Sequence, residues 1–164
     1  MKGTNPKVLL GELEKGMDVT DGIFLFFEQC LREDIPKLGR SRSAAVLLAG
    51  IIDNYYTGLE TMFFRISQFF ENSLSKDRWH TDLLQRMCIS IKDERIEVIK
   101  DETFLCLDEI RRFRHFNRHY FNFDYDWDRI DFLIKKIRQV HPLVISDINN
   151  FIKFLHNLMS QDQL

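Results

Sequence analysis

The sequence predicts an all-α fold: an antiparallel bundle of four long helices plus one short helix, forming a single domain over residues 1–164. Three observations lead there. Fifteen Phe stand against seven Gly and three Pro, so large apolar side chains are plentiful and chain breakers scarce, which favours long helices over a turn-rich β fold. Apolar residues recur at spacings of three and four over long stretches, and nothing reads as a strand of any length. With 164 residues, 45% of them apolar, the chain can bury roughly 70% of its unfolded surface.

The elements follow in order. Residues 1–6 form a loose start, with Pro6 suited to the first turn of a helix. A helical pattern then runs from residue 7 to about 34 through Leu9, Leu10, Leu13, Met17, Ile23, Phe24, Phe27, Cys30 and Leu31. Gly16 and the Asp21-Gly22 pair weaken its middle, so a break is expected near residue 20. Pro36, Gly39 and Ser41 mark a loop, and Ser43 is a fair N-cap for the next helix. That helix, over residues 44–72, is the clearest in the chain, with Leu48, Ile51, Ile52, Tyr55, Leu59, Met62, Phe63, Ile66, Phe69 and Phe70 on one stripe.

A polar turn at 72–76 leads to a shorter helix over residues 79 to about 90. Residues 92–100 are charged and fit either a loop or a turn of helix. Asp101 or Thr103 could cap the next helix, whose stripe is Phe104, Leu107, Ile110 and Phe113. The last helix begins near Asp128 and carries Ile130, Leu133, Ile134, Ile137, Val140, Val144, Ile148, Phe151, Leu155 and Leu158. Pro142 lies inside it and should kink it, because the ring removes a hydrogen bond to residue 138.

Charge and cysteine usage exclude several functions. A net charge of −2 argues against non-specific coating of nucleic acid, so any anion binding must come from a local patch. Cys30, Cys88 and Cys106 are far apart and odd in number, which signals neither a disulfide framework nor a zinc finger and fits a reduced, cytoplasmic setting. No signal peptide or membrane span is read, since apolar runs are only a few residues long. No GxSxG motif and no Gly-rich phosphate loop occurs, and no cysteine neighbours a histidine. His80, His141 and His156 read as surface or helix-packing residues.

Residues 109–128, EIRRFRHFNRHYFNFDYDWD, are the exception to this acidic background. Within 111–119 stand Arg111, Arg112, Arg114 and Arg118 with His115 and His119. Asp124, Asp126, Asp128 and Asp131 follow, so one reading is a solvated basic face paired with these acids. His115 and His119 are four apart and could share a metal, but Phe116 stands where the HExxH zinc signature needs Glu, and the nearby arginines would repel a cation. No metal and no cofactor is therefore expected. The sharper reading is phosphodiester cleavage. Attack of a ribose 2′-hydroxyl on its own phosphate needs a group that changes charge near neutral pH, which histidine supplies. It also needs a fixed cation beside the phosphate, and arginine's planar fork binds two phosphate oxygens at once.

Residues 114–119, R-H-F-N-R-H, fit the R-x4-6-H motif of HEPN domains, including the polar residue after the arginine. The string LDEIRRFRHFNRHYFNFDYDWDRI resembles the corresponding stretch of HepT-like toxins, a HEPN branch. YYTGLETMFFRI (55–66) and WHTDLLQRM (79–87) are similar to two further segments of that branch, so the resemblance touches three places across residues 50–131 in the expected order.

This resemblance implies a HEPN-like helical fold and a metal-independent endoribonuclease toxin that works as a homodimer with both motifs facing one cleft. Its substrate would be RNA, whether transfer or messenger RNA. It also implies an antitoxin of the minimal nucleotidyltransferase (MNT) type, which silences the toxin by attaching AMP to a tyrosine of the motif. By the same resemblance Arg114 is the phosphate-stabilising cation and His119 the acid/base. His115, Asn117, Arg118 and Arg111 support RNA binding, and Asn54, Tyr56 and Glu60 lie on the helix matching the second segment. In this branch the modified tyrosine follows the histidine by two positions; here that place holds Phe121, with Tyr120 one step earlier. Tyr120, Tyr125 or neutralisation by covering alone all remain open.

Geometry constrains the pair. Arg114 and His119 stand five positions apart, which on an ideal α-helix sets them about 140° apart around the axis. They can meet at one phosphate if the helix ends or distorts there, if Arg114 reaches round, or if they pair across a dimer. Two rival readings stand beside the nuclease: a non-catalytic HEPN partner that presents nucleotide or RNA to a nucleotidyltransferase, and a helical interaction module whose basic segment is only a surface face.

Overall fold

The computed structural model describes residues 5–71, 79–119 and 125–161, with the side chains of all of these except 79–81, 116–119 and 161. Among the described residues six helices follow one another: α1 (Pro6–Glu33), α2 (Ile35–Leu38), α3 (Arg42–Phe70), α4 (Trp79–Met87), α5 (Asp101–His119) and α6 (Trp127–Gln161). Among the described residues there is no strand, only an isolated bridge between Ile91 and Arg95. The four long helices expected are α1, α3, α5 and α6, with α4 the short one. The four-residue α2 is an addition that no periodicity could announce.

Side-chain pairs fix the directions of the long helices. Glu12 lies by Arg65 and Thr20 by Gly58, so α1 and α3 are antiparallel. Glu28 meets Arg138 while Asp21 meets His141, so α1 and α6 are antiparallel too. Thr103 binds Asp147 near the start of α5, and Phe113 packs on Tyr125 just before α6, which sets α5 antiparallel to α6. α3 touches every other helix, and α1 and α5 sit at opposite corners. One apolar cluster runs through the bundle, from Leu9 and Leu13 through Leu48, Ile52, Leu59 and Ile66 to Ile137, Val144 and Phe151. Burial of these stripes on four helices is the main force holding the bundle together.

The local reasons for each boundary differ from several expectations. α1 is unbroken: Thr20, fully buried, donates its hydroxyl to the Gly16 carbonyl at 2.8 Å, and the apolar stripe continues past Gly22. Gly16 has a packing role, since a Cβ there would lie 2.5 Å from Met62 Cγ and Sδ on α3. The cap of α3 is Ser41, whose Oγ accepts the Ala44 N–H at 3.1 Å, two residues before the Ser43 expected. Neither Asp101 nor Thr103 caps α5. Asp147, a buried carboxylate on α6, accepts the Lys100 N–H at 3.0 Å and the Thr103 hydroxyl at 2.6 Å with the same oxygen, Oδ2. α6 starts one residue early, at Trp127, where Asp126 accepts the Asp128 N–H, and it continues through Pro142 to Gln161.

The charged stretch 92–100 is a loop. Arg95, its side chain fully buried, pins it by donating to Glu71 Oε1 at 2.6 Å and to the carbonyls of Arg86 and Ile89. The Val98 and Ile99 amides bond the Met87 carbonyl and close α4. No described helix is long and apolar enough to cross a membrane. Cys30 and Cys106 are buried, Cys88 is half-buried, and none forms a disulfide.

Candidate functional site

α5 carries the basic segment, and its local order follows from a strong start and a buried stripe. Asp147 satisfies its first turn, Asp101 and Glu102 favour the positive end of its dipole, and Leu107, Ile110 and Phe113 hold it against α3 and α6. The described part of the helix runs to His119.

Arg114 turns inward. It is 6% exposed and lies against α3, where its Nε donates to Asp53 Oδ1 at 2.9 Å and its Nη1 to Glu60 Oε2 at 2.9 Å. Its guanidinium carbon sits 5.5 Å from the centre of the Tyr56 ring. Asp53, Tyr56 and Glu60 stand three and four residues apart, so they share one face of α3 and converge on one guanidinium. The charge-assisted bonds are of the strong kind, and the aromatic face beneath adds to them. Burial, above all, pushes the Tyr56 phenol well above its ordinary range, with the Glu60 charge adding to the rise. Tyr56 is therefore a neutral platform under the arginine.

The other residues singled out in the sequence separate around this point. Arg111 stays on α5, its Nε donating to Asp108 Oδ1 at 2.8 Å, while the exposed Arg112 takes Asp108 Oδ2 at 2.8 Å. His115 is exposed, on a different face from Arg114. Asn117, Arg118 and His119 lie at the end of the described part of α5, with side chains outside the described set, and Tyr120 lies outside the described residues altogether. Tyr125 comes back to the site from the link before α6. Its ring is 6.2 Å from Phe113, and its phenol is pushed up first by burial and then by the charge of Asp53.

Asp53 is the functional candidate that sequence reasoning missed. Its signal was available: a charged residue inside the apolar run Ile51, Ile52, Tyr55, Tyr56 must find a partner if the helix is buried. Asn54 points elsewhere, into a groove of about 340 Å³ between α1 and α3 that it shares with Val19, Ile23 and Phe26. Of the acids after the basic segment, Asp126 caps α6 and Asp131 pairs with Arg40 at 2.8 Å, while Asp124 lies outside the described residues. Among the described residues no three His, Cys, Asp or Glu side chains gather as a metal-binding group.

His141 is a packing residue with a full set of partners. It stacks on Phe24 at 3.8 Å between centroids, takes the Tyr55 hydroxyl at Nδ1 and meets Asp21 from Nε2, both at 3.1 Å. His156 is exposed, and the side chain of His80 is outside the described set.

Comparison with known proteins adds one result. A family model described as HepT-like protein matches residues 47–155, about two thirds of the chain. The match begins inside α3 and ends inside α6, so it includes Asp53, Tyr56, Glu60, Arg114 and His119 and leaves out α1 and α2. No curated protein and no solved structure matches the chain.

Proposed function

Because the chain belongs to the HepT-like family, we propose that it is a metal-independent endoribonuclease, the toxin of a toxin–antitoxin pair acting in the cytoplasm. The supporting observation is the setting of Arg114, a cation fixed at two nitrogens over Tyr56 on the same helix as His119. In this reading the ribose 2′-oxygen attacks the adjacent phosphorus and the bond to the 5′-oxygen breaks. The proton leaving the 2′-hydroxyl and the proton reaching the 5′-oxygen both pass through imidazole, the role of His119. Arg114 stabilises the charge that builds on the phosphate oxygens. Arg111, His115, Asn117 and Arg118 guide the RNA backbone.

A homodimer with the two motifs facing one cleft would bring an arginine and a histidine from different chains to one phosphate, which relieves the separation of about 140° on a single α5. The matching partner is an MNT-type nucleotidyltransferase antitoxin, and AMP transfer to Tyr120 or Tyr125 is a route to silencing. Purified protein should cut RNA in the presence of EDTA, and His119→Ala should abolish the cutting. The products should carry 2′,3′-cyclic phosphate and 5′-hydroxyl ends. Loss of activity with a chelator, or products with 5′-phosphates, would refute the mechanism.

One observation favours a second reading, a non-catalytic partner that presents nucleotide or RNA to the nucleotidyltransferase. Arg114 is buried and already holds two carboxylates. Nucleotide binding that depends on Arg114, together with no cleavage of any RNA, would select this reading.

A further inference from the structure

Arg114 holds two carboxylates that differ in burial. A buried guanidinium needs a carboxylate, since an unpaired charge in the interior is strongly unfavourable, and Glu60 supplies one. The Glu60 side chain is only 7% exposed, as is that of Arg114, so this pair is locked in place. The Asp53 side chain is 23% exposed and shorter, and its Oδ1 holds the Arg114 Nε. Of the two carboxylates on Arg114, Asp53 is the one open to water. With Asp53 moved aside, the Nε–H can donate to another anionic oxygen at the same distance and with the same charge-assisted character. Exchange of one anion for another at a fixed guanidinium costs little, whereas removal of both anions would strand a buried charge.

We propose that Asp53 is a displaceable counter-ion. It occupies Arg114 in the empty site and yields it to an RNA phosphate, while Glu60 stays as the anchor that holds the guanidinium in position. The inference rests on the ribonuclease reading and sharpens it: the inward, paired Arg114 is the resting state of a phosphate site. It also assigns different roles to two carboxylates that look alike on α3. Asp53 competes with substrate, and Glu60 positions the cation.

The test is binding of a short, uncleavable 2′-fluoro oligonucleotide of mixed sequence to the full chain, followed by fluorescence anisotropy. Asp53→Asn should bind about fivefold more tightly than the wild type, the scale of losing one partly exposed charge contact. The gain should vanish when Arg114→Gln is added, and Glu60→Gln should show no gain. Equal or weaker binding by Asp53→Asn overturns the proposal, as does a gain that survives without Arg114 or one matched by Glu60→Gln. A second readout needs no change at Asp53. The Nε–H resonance of Arg114, assigned by its loss in Arg114→Lys, should shift as oligonucleotide is added, and a resonance that stays fixed at saturation overturns the proposal. Absence of binding by every form, wild type included, is a different result: it removes the ribonuclease reading itself and the inference with it.

Discussion

Asp147→Ala should destabilise the protein more than an ordinary surface cap would. Asp147 is 6% exposed, and its Oδ2 accepts from both the Lys100 amide and the Thr103 hydroxyl. Three losses combine. A deleted N-cap acceptor costs about 1 kcal/mol, and the carboxylate's interaction with the positive end of α5 contributes about 0.5 kcal/mol more. Thr103 is 1% exposed, so its hydroxyl is left without this acceptor in a buried position, at roughly 1–2 kcal/mol. The sum is about 3 kcal/mol, or a fall in Tm of roughly 6–12 °C for a chain of this size. Asp147→Asn keeps an acceptor oxygen and removes only the charge, so it should cost about 1 kcal/mol. Urea unfolding followed by far-ultraviolet circular dichroism measures both. A cost under about 1 kcal/mol for the alanine variant, or no difference between Ala and Asn, would refute capping across 44 residues of sequence as what anchors α5.

Other consequences can be checked in the same way. Burial, opposed by Asp21, holds the His141 imidazole below its ordinary value; the unfolded chain therefore takes the proton first, so stability is full above about pH 6.5 and declines as the pH falls from there. The urea midpoint of the wild type should drop between neutral and mildly acid pH, and His141→Gln should flatten that drop; an identical pH profile in the variant counts against the assignment. Gly16→Ala should destabilise by about 1–3 kcal/mol through its clash with Met62, while Gly11→Ala and Gly22→Ala, which meet nothing within 4 Å, should raise stability by up to about 1 kcal/mol; thermal melts that rank all three alike would refute the packing role. Arg114→Ala strands Glu60 in the interior and should cost about 3–5 kcal/mol, so its nuclease assay needs a parallel unfolding curve, and an unchanged melt would show that the pair with Glu60 is not formed in solution.

What the sequence revealed, and what it concealed, follows from how local each cause is. The stripes on α1, α3 and α6 are local, and so the long helices were legible from spacing alone. α2 is a single turn, too short for periodicity. The cap of α5 lies on another helix, and nothing near residue 101 encodes it. The expected break in α1 rested on propensity at Gly16 and Gly22, yet a glycine that admits Met62 is retained for tertiary packing, which outweighs its intrinsic cost of about 1 kcal/mol. Ser43 and Ser41 are equally good caps by residue type, and only the exit angle of the preceding turn separates them.

The inward turn of Arg114 has a signature in the residue pattern. Leu107, Ile110 and Arg114 are spaced by three and four, so the arginine continues the same buried stripe as the two apolar residues before it. On α3, Glu60 stands four residues after Tyr56 and continues a buried stripe in the same way. A charge at a core position of one helix demands an opposite charge at a core position of a neighbour, and among the described helices packed against α5 only α3 and α6 are long enough to face it along its length. Charges set against the stripe, and not only along the chain, therefore narrow the partner of Arg114 to a buried acid on α3 or α6, and the structure shows it to be Glu60 on α3. The same reasoning separates two kinds of arginine in the basic segment. Arg112 lies off the stripe and is exposed, whereas Arg114 lies on the stripe and is held by Asp53 and Glu60.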